Sequence, residues 1–224
     1  MRAEGPSLED VLEKAAELQQ IVPGAVLVGG SAVAHRVGHR QSFDHDHVVE
    51  DLASRFDTIL ENLEALGDWT LARAKPGKII LGELGGIETG VRQMIRQRPL
   101  ETEHVEIRDR QLTVPTEREI LRVKAWLAVA RNQTRDYLVI AALADHMGVD
   151  VAGETLRQID EYYADVNQRD EAVSSQVARQ LADPQPRDAE VTRQLAAYKG
   201  LDPRWHDWES VRVVLRRVAV EMVS

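Results

Sequence analysis

The stretch "VLVGGSAVAHRVGHRQSFDHDHVV", Val26–Val49, decides the fold. Its start completes an apolar run, "AVLV" (25–28), which reads as a short strand. Gly29-Gly30-Ser31 then turns into a short helix that runs from near Ser31 to near Gly38. "SFDHDHVV" (42–49) reads as a second strand. Side chains along a strand alternate between its faces, so Asp44 and Asp46 share one face and His45 and His47 the other. Two carboxylates side by side repel, and one protonates unless a cation lies between them. A pair so placed suits a hard divalent cation, Mg²⁺ or Mn²⁺, which prefers oxygen ligands and shares its shell with phosphates. The plain alternative is a polar strand end. The Gly-Gly turn favours the cation: glycine admits close backbone approach, and a helix start presents unpaired N–H groups to an anion. Ser31 would be the N-cap or a direct phosphate donor.

Around this stretch the chain is acidic, with a net charge of −9 over 224 residues, which argues against non-specific coating of nucleic acid but not against a local basic patch. There is no cysteine, hence no disulfide or thiolate–metal chemistry. No run of eighteen apolar residues and no signal-peptide pattern is present, so the expectation is a soluble cytoplasmic protein with no membrane partner. Ser7-Leu8-Glu9-Asp10 reads as a helix cap, Pro23-Gly24 as that helix's stop, and Asp51 as the cap of an amphipathic helix ending before Gly67. Short strand patterns follow at 68–74, 78–84, 86–91, 104–107 and 111–114. Beyond Pro115 everything reads helical, opening on the capping box Thr116–Glu119, with helices expected at 117–131, 134–147, 153–166, 170–182, 188–199 and 207–222. The expected fold class is α/β: a mixed β-sheet with flanking helices in 1–115, followed by an all-helical domain in 116–224.

Gly29-Gly30-Ser31, His39-Arg40, Ser42, Asp44 and Asp46 together resemble the first motif of the nucleotidyltransferase superfamily. The pattern is closest to the AbiEii/AbiGii abortive-infection toxin family, Gly-Gly-Thr/Ser … His-Arg-x-Ser-x-Asp-x-Asp. A second match is "EREILRVKAWLAVARNQTRDYLVIAAL" (117–143), which resembles the family's Lys, Arg, Arg-Asp-Tyr/Phe segment and puts its lysine on Lys124 and its late aspartate on Asp136. The matched parts are roughly 26–47 and 114–143; the tail after about 150 carries no such pattern.

The resemblance implies Mg²⁺-dependent transfer of a nucleoside monophosphate from an NTP to an acceptor. In several such toxins the acceptor is the 3′ end of tRNA, and a neighbouring antitoxin controls them. Asp44 and Asp46 would hold the metal, and Gly29, Gly30, Ser31, Arg40 and Ser42 the triphosphate. Lys124 would neutralise developing charge, with Asp136 positioning Lys124 or the acceptor. The superfamily's third carboxylate falls on Gly90; Glu88, on the same strand face, and more weakly Glu106 are substitutes. Where the family has apolar residues this chain has His45 and His47, which are expected to pack against the next layer. His35 is expected on the short helix, and His39 to orient the loop.

Lys124 and Asp136 also stand out on their own. Lys124 interrupts the apolar stripe Ile120, Val123, Leu127, and Asp136 shares a face with Ile140 and Leu143, where unpaired charge is costly. They either form a buried pair, with Arg131 as a further member, or line a cleft. Arg92, Arg96 and Arg98 are the local candidates for an RNA backbone, against a solvated face. The competing functions are a catalytically inactive binding module and a metal-dependent phosphohydrolase using "DHDH", which needs the histidines on the aspartates' face.

Overall fold

The computed structural model describes residues 5–224, which form two compact units: one comprises residues up to 36 and 41–116, the other 37–40 and 117–224.

The first unit is built on a mixed sheet. Helix α1 (Leu8–Ile21) starts from a capping box in which the Ser7 and Asp10 side chains each accept the other's backbone N–H at 3.2 Å. Strand β1 (Val26–Val28), helix α2 (Gly29–Val37) and strand β2 (Asp44–Val49) follow, then α3 (Leu52–Glu64), β3 (Trp69–Lys75), β4 (Ile79–Leu84) and β5 (Ile87–Gln93). The five strands lie in the order β1-β2-β5-β4-β3; β2 and β5 run parallel and every other neighbour antiparallel. Strands β6 (Thr102–Ile107) and β7 (Arg110–Pro115) form a separate two-stranded sheet.

Two apolar clusters hold this unit together. One joins Leu18 and Val22 to Leu52, Phe56, Ile59 and Leu63 of α3 and to Val49, Ile80, Leu84 and Val91 of the sheet. The other packs Leu12, Ala15 and Ala16 of α1 against Leu27, Ile107, Leu112 and Val114. Burial along β2 alternates: His45, His47 and Val49 are buried, Asp44, Asp46 and Val48 half-buried. The apolar layer thus claims one face of the strand and leaves the aspartates on the other.

The second unit is helical: α4 (Glu117–Ala130), α5 (Thr134–Met147), α6 (Val149–Arg157), α7 (Asp160–Tyr163), α8 (Val173–Ala182), α9 (Ala189–Thr192) and α10 (Trp208–Val223). Trp126 stacks on Tyr163 at 5.1 Å, and the Arg122 guanidinium lies 3.9 Å from the Tyr162 ring centre. Gly153 marks a close helix crossing, because a Cβ there would meet the Glu221 backbone at 3.0 Å.

Several local expectations need correction. The helix expected at 153–166 begins at Val149 and breaks after Arg157, and 188–199 holds only a short helix and a 3₁₀ turn. Asp51 makes no side-chain cap; its carboxylate pairs with Arg55 at 2.6 Å. Conversely, the cap of α5 comes from far along the chain: Asp188 Oδ1 accepts from the Thr134 N–H and hydroxyl, both at 2.8 Å.

Candidate functional site

The β1–α2 turn fixes the site's edge. Gly29 has φ of +78°, a left-handed conformation that favours glycine, and its missing side chain faces Asp46, whose Cβ and Oδ2 would lie 3.6 Å from a Cβ. The helix begins at Gly29 itself, so Ser31 is not the N-cap. Ser31 is fully buried inside the first turn, and its hydroxyl donates to the Asp44 backbone carbonyl. It therefore ties the helix start to the aspartate strand. Gly30 sits beside it in the same turn.

Ser42, also buried, donates its hydroxyl to Asp44 Oδ1 at 3.0 Å and orients that carboxylate. Across the parallel ladder Glu88 lies opposite Asp44, and Gly90 opposite Asp46. A Cβ at position 90 would overlap Asp46 Oδ1 and press Leu81 Cδ2 at 3.2 Å, so the glycine is the space that Asp46's carboxylate occupies. Glu88 is exposed on the shared face, while Glu106 belongs to the separate sheet and pairs with Gln111 there. Among the described residues no three carboxylates or histidines form a cluster able to hold a metal. Two carboxylates on one face, one settled in a niche that a Cβ would fill, still fit an ion that draws the rest of its shell from water and phosphate.

The histidines face elsewhere. His45 hydrogen-bonds the Thr89 hydroxyl at 2.9 Å, and its ring meets that of His47 edge-on at 5.3 Å. Burial pushes His45 down to about 4, beyond the opposing pull of Asp44, and the positive charge of Lys14 adds to the drop. Burial likewise holds His47 well below the usual range; His45 adds to this, and the Ala15 backbone counters only part of it. Both are neutral core groups at pH 7. The phosphohydrolase alternative, which needs them beside the aspartates, loses its geometry. His35 lies half-buried on α2, and burial, then Arg36, lowers it.

In the second unit His39 is buried, and burial, with Arg40 and Lys124 nearby, pushes it down to about 3. Its backbone carbonyl accepts from the Asp202 N–H at 2.8 Å, which anchors the 37–40 segment. Asp136 is fully buried and takes two hydrogen bonds from Arg131, at 2.6 and 2.7 Å; Lys124 Nζ is 3.5 Å away. Asp136 is thus chiefly Arg131's partner, and Lys124 a third member. Burial lowers the Lys124 ammonium; Asp136 opposes this, and Arg131, Arg135 and Arg40 add to it. Lys124 is a buried cation that stands beside a carboxylate already held by Arg131.

Of the arginines considered for RNA, Arg96 is buried and donates to the carbonyls of Arg98 at 2.8 Å and Pro99 at 2.9 Å. It shapes its own loop. Arg92 turns to Asp46, with Nε 3.4 Å from Oδ1. Only a three-dimensional register reveals this: nothing in the linear spacing ties residue 92 to residue 46.

No family model matches the chain. It is 37% identical over 131 residues to the mycolic acid-containing lipids exporter MmpL11 of Mycolicibacterium smegmatis and 35% identical over 149 residues to the heme uptake protein MmpL11 of Mycobacterium tuberculosis. These matches cover 58% and 63% of the chain but only 13% and 14% of the relatives, so the chain spans about one seventh of their length or less. Among solved structures, it resembles MenT4, a nucleotidyltransferase toxin from Mycobacterium tuberculosis H37Rv, with a TM-score of 0.58 and 14% identity over 97% of this chain and 83% of that one. A putative nucleotidyltransferase from H. pylori gives a TM-score of 0.51 and 15% identity over 96% and 93%. The fold is nucleotidyltransferase-like. No helix of the described residues is long and apolar enough to cross a membrane.

Proposed function

We propose that the protein is a nucleotidyltransferase that moves a nucleoside monophosphate from an NTP to an acceptor hydroxyl. The acceptor oxygen bonds to the α-phosphorus, the α–β anhydride bond breaks, and pyrophosphate leaves with that bond's electron pair. The hydroxyl proton passes to a carboxylate or to water. The observation that carries the reading is the carboxylate pair itself: Asp44 and Asp46 side by side on one face of β2, one oriented by Ser42 and the other seated in the space of Gly90.

Asp44 and Asp46 are the residues that would hold Mg²⁺ or Mn²⁺, which would neutralise the triphosphate and the leaving pyrophosphate. Gly29 and Gly30 allow close approach of phosphate to the helix start. Ser42 acts through Asp44 and Ser31 through the Asp44 backbone, so both position rather than bind. By the family resemblance, Arg40 would join the triphosphate-binding set and Lys124 would neutralise developing charge. Catalysis of this kind is mostly positioning and electrostatics.

The acceptor is proposed to be RNA, with the tRNA 3′ end as the first candidate, and the protein to be an AbiEii-type toxin controlled by an antitoxin. The sequence motifs and the likeness to a toxin's fold support this. The share of MmpL11 that is matched is too small to bring transport to this chain. A second reading is an inactive binding module, and Gly90 favours it, because no side chain stands where a third carboxylate would. Incubation with each labelled NTP, Mg²⁺ and total RNA separates the two. Label on RNA, lost in Asp46→Ala, supports the transferase; label nowhere, with NTP still bound, supports the module.

A further inference from the structure

Arg92 stands on the same strand face as Glu88 and Gly90 but is registered opposite Val48, two residues beyond Asp46. Its side chain therefore leans back along the strand to bring Nε within 3.4 Å of Asp46 Oδ1. It does so beside position 90, the one residue of that face with no side chain to intervene. Asp44 is oriented by a neutral hydroxyl, whereas Asp46 has a cation.

We infer that Arg92 is a positioning residue of the carboxylate pair: it holds Asp46 in the cation-free protein and gives it up when a divalent cation binds. The inference rests on the reading of Asp44 and Asp46 as cation ligands. Its physical basis is like-charge repulsion. Two adjacent carboxylates need a counter-charge, and a guanidinium supplies a permanent one. The Arg92 side chain is 45% exposed and that of Asp46 33%, so the guanidinium can swing into water without leaving a buried charge behind. A cation taking Asp46 must displace this group and then tolerate its charge nearby. Arg92 thus makes the empty pair less avid for a metal ion alone. A displaced guanidinium beside the pair has a fork of N–H donors suited to phosphate oxygens.

The test is Mn²⁺ binding to the nucleotide-free full chain, followed by electron paramagnetic resonance or calorimetry, in wild type, Arg92→Gln, Arg92→Lys, Asp44→Asn and Asp46→Asn. Arg92→Gln is expected to bind Mn²⁺ about three- to fivefold more tightly, the scale of one partly exposed ion pair. Arg92→Lys, which keeps the charge, should stay near wild type. Unchanged or weaker binding in Arg92→Gln, with binding lost in Asp46→Asn, overturns the inference alone. Binding that survives both Asp44→Asn and Asp46→Asn instead overturns the carboxylate-pair reading on which it rests.

Discussion

Arg131 grips Asp136 with two hydrogen bonds, Nε to Oδ2 at 2.6 Å and Nη2 to Oδ1 at 2.7 Å. Lys124 stands off at 3.5 Å from the same Oδ1. The aspartate is fully buried, so its charge needs a partner, and Arg131 meets that need in the bidentate geometry that a guanidinium favours.

The stability cost should therefore fall on Arg131. Arg131→Ala is expected to destabilise the helical unit by about 3 kcal/mol, the low end for a broken buried pair, since Lys124 remains. Lys124→Met should change stability by less than about 1 kcal/mol, because Asp136 keeps Arg131 and methionine refills the buried stem. Urea unfolding of both variants checks this. In the labelled-NTP assay Lys124→Met should lose at least about a hundredfold, the scale of one charge-stabilising donor. Full activity there would remove Lys124 from the proposed machinery.

Asp44→Asn and Asp46→Ala should abolish NTP-dependent labelling while leaving the fold intact. Asp46 is only half-buried and its pair with Arg92 is partly exposed, so its loss should cost no more than about 1 kcal/mol. Relief of repulsion between the two carboxylates offsets part of that. A large fall in melting temperature would mark these residues as structural.

Gly90→Ala should reduce labelling at least about tenfold with a modest stability loss of about 1 kcal/mol, since the obstructing atom is the movable end of Asp46 and overpacking falls mainly on Leu81. The carboxylate, forced out of its niche, no longer stands beside Asp44. Unchanged activity would mean that the niche has no bearing on the chemistry.

Acid should weaken the protein through its buried histidines. In the unfolded chain each histidine takes a proton near pH 6.5, but folded His45 resists until about 4, His39 until about 3, and His47 well below the usual value. The unfolded state then binds more protons, so stability is greatest above about pH 6.5 and falls as pH drops toward 4. Each of these histidines contributes up to about 1.4 kcal/mol per pH unit in that window. Urea midpoints between pH 7 and 5 measure the slope. His47→Met should flatten it by about one proton's share, and an unchanged slope would show that His47 is not buried neutral.

Period-two alternation along "DHDH" was enough to place Asp44 and Asp46 on one face and His45 and His47 on the other, because only one face of β2 meets the apolar layer. The capping box at Ser7 and Asp10 was equally legible, being a contact between residues three apart. Helix limits beyond residue 148 were not, since weak local patterns there yield to packing: the helix expected at 153–166 begins at Val149 and breaks after Arg157. The partners that define the candidate site are also long-range. Gly90 faces Asp46 only because β2 and β5 pair in parallel at one register, and Arg92 reaches that carboxylate from two positions further along. Arg131 rather than Lys124 captures Asp136 because the turn between α4 and α5 brings its fork within reach of both carboxylate oxygens. Side-chain periodicity is set by backbone geometry within a few residues, whereas these pairings depend on which strands and helices meet, a choice made by the burial of the whole core.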